Sequence, residues 1–93
     1  MRTDAYAEGV PRITLYSKPG CHLCEDARSV VDDVVGRLEA SISVSVEEID
    51  ILGDPALQTR YGEEIPVVLI DGKMHTYWRV DPARLEKALK ELS

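Results

Sequence analysis

The sequence predicts one α/β domain with the element order β-α-β-α-β-β-α, a mixed four-stranded sheet packed by helices. Three observations carry this. Apolar residues recur at three- and four-residue steps after Cys21, between two strand-like runs. Two Asp-Pro pairs, Asp54-Pro55 and Asp81-Pro82, each combine an acceptor for free helical N–H groups with a residue preset for the first helical position. Asp71-Gly72 sits between two short strand-like runs and suits the tight turn of a two-residue hairpin. At 93 residues the chain has material for a single core.

Taken in order, Ile13-Thr14-Leu15-Tyr16 alternates before Ser17-Lys18-Pro19-Gly20 stops it, giving a first strand over 12–17. Ala27, Val30, Val31, Val34, Val35 and Leu38 form one helical face, giving a helix over about 22–39. Gly36 costs about 1 kcal/mol relative to Ala within it, so an end at Gly36 is the alternative. Val44 and Val46 share one strand face while Ile49 and Ile51 fall on the other. A strand over 43–50 therefore either bulges near Glu47 or is buried on both faces. Helices follow over 55–61, ending in a left-handed cap near Gly62, and over 82–92 with Leu85, Ala88, Leu89 and Leu92 inward. Between them, Pro66–Ile70 and Lys73–Tyr77 form the hairpin. The first two strands, joined through a helix, should be parallel, and the last two antiparallel. Residues 1–11 read as a flexible N-terminal segment and 12–93 as the domain.

Composition limits the function. A formal net charge of -6 disfavours nucleic acid and anionic lipid, which draw affinity from clustered Lys and Arg. The longest aliphatic run, Val67-Val68-Leu69-Ile70, is far shorter than the ~20 residues of a membrane span, and Met1–Pro11 lacks the apolar stretch of a secretory signal. A cytoplasmic monomer is the expectation.

The chemistry resides in Cys21-His22-Leu23-Cys24, the only two cysteines, at the junction of a strand, a Pro-Gly loop and a helix start. A helix N-terminus carries unpaired N–H groups and about half a positive charge, which favours a thiolate over a thiol. Cys21 is placed to attack; Cys24, three residues on along the same face, is placed to resolve the mixed disulfide. His22 either adds positive charge or is an exposed loop residue. Glu25 and Asp26 oppose thiol ionisation but suit the first helical turn. Other readings of the cysteine pair are a structural staple, which for so short a loop stabilises by only about 2 kcal/mol, and a zinc site completed by His22 or His75. In a dimer, the cysteines could instead hold half of an iron–sulfur cluster. These last two describe a binding module, not an enzyme.

The segment Ile13 to Cys24, followed after two acidic residues by Ala27, resembles the glutaredoxins, and the element order agrees over about 12–92. The resemblance implies a thioredoxin-like fold and disulfide reduction. A second matching feature is Ile65-Pro66, where the fold carries a cis-proline facing the cysteines. The Ile65 backbone would then pair with a bound thiol substrate, and Pro66 would remove an N–H beside the reactive sulfur. Lys18 matches a lysine that binds a glutathione carboxylate.

Two features depart from the glutaredoxin pattern. His22-Leu23 replaces the usual Pro-Tyr, and Tyr77-Trp78-Arg79-Val80-Asp81 replaces the Gly-Gly turn that holds the γ-glutamyl end of glutathione. The loop Ser17–Cys24 also resembles arsenate-reductase-like proteins of the same superfamily.

The expected activity is thiol–disulfide exchange on protein or small-molecule disulfides, with glutathione or a thioredoxin-type reductant as partner. No metal and no tightly bound cofactor is required; glutathione would serve as co-substrate.

Overall fold

A computed structural model of the chain describes residues 10–92. Most of the segment assigned to the N terminus, residues 1–9, and Ser93 lie outside the described residues. Pro11 is buried, and its carbonyl accepts the Ser45 N–H at 2.9 Å.

The elements are β1 (Arg12–Ser17), α1 (His22–Leu38), β2 (Ser45–Asp50), a 3₁₀ turn (Ile51–Gly53), α2 (Pro55–Tyr61), β3 (Val67–Ile70), β4 (Lys73–Tyr77) and α3 (Pro82–Leu92). They form one four-stranded sheet in the order β2-β1-β3-β4. β1 runs parallel to β2, with Leu15 opposite Glu48, and antiparallel to β3, with Leu15 opposite Val68. β3 and β4 are the expected hairpin, with Asp71 at φ 53° and Gly72 at φ 82°. Both turn residues thus take the left-handed conformation that a two-residue hairpin demands.

Strand alternation divides the core. Ile13, Leu15, Val68 and Ile70 pack with Ala27, Val31, Val34 and Leu38 of α1 and with Leu85 and Leu89 of α3. A second buried cluster joins Cys24, Ile51, Tyr61, Ile65 and Val67. Asp54 and Asp81 cap their helices as expected: Asp54 Oδ1 accepts the Ala56 N–H, and Asp81 Oδ1 the Ala83 N–H, both at 2.9 Å.

The α1 helix runs through Gly36 to Leu38 as the apolar spacing predicts, and Val34 and Leu38 on its inner face are buried. Three local expectations are corrected. β2 neither bulges nor buries both faces: its register with β1 is unbroken and most of it is exposed, since it is the sheet edge. The apparent conflict of phase arises because Val44 lies before the strand, while Ile51, buried, lies in the 3₁₀ turn after it. Gly62 has φ −54°, not a left-handed value, and its N–H continues the helix to the Gln58 carbonyl. Glycine is needed there because a Cβ would overlap that carbonyl oxygen. Leu92 is exposed, being beyond the part of α3 that reaches the sheet. The hairpin also carries a register shift at Val68/Leu69, opposite Thr76 and Met74. It leaves His75 as the extra residue.

Two outcomes follow from this packing. Leu85 is fully buried, so Leu85→Ala should lower the unfolding free energy by roughly 2–5 kcal/mol, measured by urea denaturation. His75 Nε2 is buried without a hydrogen-bond partner, and burial first, then the Arg84 charge, lowers the His75 pKa from its ordinary 6.5. The folded chain therefore resists the proton that the unfolded chain accepts, and stability must fall as pH drops below about 6.5, until the folded histidine also titrates. Denaturation midpoints at pH 7.5 and 5.5 should differ less in His75→Gln than in the wild type.

Candidate functional site

β1 delivers the chain to Ser17, and the next three residues, Lys18, Pro19 and Gly20, are all exposed. Gly20 turns the chain with φ 77°, a conformation that glycine adopts without the strain a Cβ brings. Cys21 then takes an extended conformation and becomes the N-cap of α1. Its Sγ accepts the Cys24 N–H at 3.1 Å, and its carbonyl accepts the Glu25 N–H at 3.1 Å. A sulfur atom here does what a Ser or Asp oxygen does at an ordinary helix start.

Cys21 and Cys24 are joined by a disulfide, with their Cα atoms 5.2 Å apart. The two sulfurs are not equivalent. Cys21 is half-buried, whereas Cys24 is 0% exposed and lies among Ile51, Tyr61, Ile65 and Val67. Cys21, Tyr16, Leu57 and Leu69 pack at the margin of that cluster, and Tyr16 stacks on Tyr61 with ring centroids 4.9 Å apart.

The structure thus brings Cys21, Cys24 and Ile65 together. The Ile65–Pro66 bond is cis; Pro66 is buried, and its carbonyl accepts the Trp78 N–H at 2.8 Å. His22 and Lys18 are exposed and lie outside this cluster. Lys18 instead borders a small depression with Pro19, Arg28, Glu48 and Asp50. Among the described residues, no group of three or more His, Cys, Asp or Glu is placed to hold a metal ion. Zinc coordination by the cysteines with His22 or His75 therefore has no assembled ligand set within them.

Sequence reading assigned no role to two features of the site's surroundings. Trp78, at the rim, has φ 68°, and its indole N–H donates to the Glu63 carbonyl at 3.1 Å. It lines a groove with Leu23, Asp26, Ala27, Val30, Arg79 and Val80. The other feature is a polar cluster at Glu48. Its Oε2 accepts the buried Ser17 hydroxyl at 2.7 Å, and Arg28 binds both carboxylate oxygens, Nε reaching Oε1 at 2.7 Å. The Arg28 hydrogen bond holds the Glu48 pKa below the ordinary 4.5; burial opposes this, and the Ser17 hydrogen bond assists it. Only the spacing, Ser17 before Cys21 and Arg28 after Cys24, hinted at this cluster. The partner on β2 depends on a register that sequence does not print.

The chain resembles several known proteins. The model of the Glutaredoxin-like domain (DUF836) matches residues 12–90. An uncharacterized protein of Mycobacterium tuberculosis, Rv0508, is 32% identical over 80 residues, covering 81% of this chain and 78% of its own. The X-ray structure of protein XcR50 from X. campestris superposes with a TM-score of 0.67 at 28% identity, covering 85% of this chain and 96% of that one. Chloroplastic thioredoxin z, at 15% identity, shares the fold with a TM-score of 0.70, covering 94% of this chain and 81% of its own. The sheet order, the cysteine pair at the start of α1 and the match over residues 12–90 together make this chain a thioredoxin-fold member of the glutaredoxin-like domain family.

Proposed function

We propose that the chain is a thiol–disulfide oxidoreductase in which Cys21 attacks and Cys24 resolves. The observation that carries this is the disulfide at the start of α1, with one sulfur half-buried and capping the helix and the other fully enclosed. In the reduced protein the N–H groups of the first helical turn favour negative charge on the Cys21 sulfur.

The Cys21 thiolate attacks a substrate disulfide, a Cys21–substrate bond forms, and one substrate thiolate leaves. Cys24 then gives up its proton, and its sulfur attacks that of Cys21. The Cys21–Cys24 bond forms, and the second thiol departs with the proton. Two electrons pass to the substrate, and an external dithiol or two glutathione molecules return them.

Supporting roles fit the same reading. Ile65, beside the cysteines, offers its backbone to an extended substrate, and Pro66 presents no N–H next to the reactive sulfur. Substrates are protein or small-molecule disulfides, including glutathione mixed disulfides. Lys18 would bind a carboxylate of glutathione, and His22 would tune charge at the helix start. The glutathione partnership is the part for which the Tyr77–Asp81 segment offers least support, because Trp78 stands where a glycine turn would be.

Cys21→Ser should abolish reduction of a small disulfide substrate, with the rate falling by about 10³-fold or more for loss of the nucleophile. Cys24→Ser should still form mixed disulfides at Cys21, detected by mass spectrometry. The reverse pattern would exchange the roles. Metal analysis of freshly purified, reduced protein should find no stoichiometric zinc or iron; stoichiometric metal held by both thiols would replace the enzyme with a binding module.

A further inference from the structure

The loop between β1 and α1 has little to hold it in place. Lys18, Pro19 and Gly20 are exposed, and a Cβ at Gly20 would meet nothing within 4 Å. Yet this loop sets where Cys21 stands relative to Cys24. The flanks of the loop must therefore carry its geometry.

Ser17, four residues before Cys21, is 4% exposed and ends β1. Arg28, four residues after Cys24, lies one helical turn beyond it on the same face of α1. Both bind one carboxylate, that of Glu48 on the neighbouring strand β2. The register explains how: Glu48 lies opposite Leu15, whose side chain points to the face packed by α1, and Ser17 shares that face two residues on.

We propose that Glu48 is a positioning residue for the Cys21–Cys24 pair: its carboxylate ties the strand entering the redox loop to the helix leaving it, and so sets the approach of the two sulfurs. The inference rests on the exchange reaction proposed above. As an exposed ion pair, Arg28–Glu48 contributes little to overall stability, but the two-pronged geometry fixes direction. Positioning matters most in the closing step. There Cys24 displaces glutathione from Cys21, the Cys21–glutathione bond breaks as the Cys21–Cys24 bond forms, and the glutathione thiolate takes up the proton from Cys24. An intramolecular attack of this kind is sensitive to small misplacements.

The test equilibrates the full chain in buffers of reduced and oxidised glutathione, quenches with acid, and counts disulfide, free thiols and glutathione adducts by mass spectrometry. Glu48→Ala should lower the equilibrium constant for closing the disulfide by about tenfold, or about 30 mV for a two-electron couple, and adducts should accumulate on Cys21. Glu48→Gln keeps one acceptor oxygen but sets its NH2 group against an Arg28 N–H, losing one of the two prongs, and should shift the constant in the same direction by a smaller factor than Glu48→Ala. Ser17→Ala, which removes only the hydroxyl, should shift the constant in the same direction as Glu48→Ala by a smaller factor. Glu86→Ala removes the acid between Arg37 and Lys90, away from the loop, and should leave the constant unchanged.

The proposal is overturned if the wild type exchanges while Glu48→Ala and Ser17→Ala do so with its constant, or if Glu86→Ala shifts it as far as Glu48→Ala. A wild type that never exchanges overturns the oxidoreductase reading itself, and the positioning role with it.

Discussion

The hydrogen bond from the Cys24 amide to the Cys21 sulfur is the constraint around which the rest of this fold is arranged. It makes a sulfur atom the cap of a helix. The free N–H groups that every helix must satisfy at its start are thereby directed at the sulfur that carries charge in the proposed exchange. That arrangement requires that the helix begin at one residue and be held there.

Holding it there is the task of the core. Ala27, Val31, Val34 and Leu38 fix α1 against Ile13 and Leu15 of β1, so the strand before the loop and the helix after it share one buried face. The second cluster then encloses Cys24 and brings Ile65 beside it. One sulfur is thus left partly exposed and the other enclosed. In the proposed exchange, the asymmetry between the attacking and resolving cysteines comes from burial more than from sequence order.

Much of this was legible beforehand because it is encoded locally. The alternation in Ile13–Tyr16, the helical spacing after Cys21, the Asp-Pro caps and the Asp71-Gly72 turn each depend on neighbours a few residues away. Where reading failed, the deciding feature was one that residue type does not show: where a strand begins and ends, or how closely the backbone passes. The phase conflict between Val44 and Ile51 dissolved because one precedes the strand and the other follows it. Gly62 proved to serve a close approach to the Gln58 carbonyl and not a left-handed turn. In the site, the cysteine pair and the Ile65-Pro66 step could be found from their residues. Glu48 could not, since its meeting with Ser17 and Arg28 depends on which strand lies beside β1 and in what register.

The central claim is that the helix start makes Cys21 the attacking sulfur while the core withholds Cys24. The most direct measurement is competitive alkylation of the fully reduced protein at neutral pH, with less than one equivalent of iodoacetamide, followed by peptide mapping. Label on Cys21 in large excess over Cys24 is the predicted result. Equal labelling, or preference for Cys24, would contradict the account.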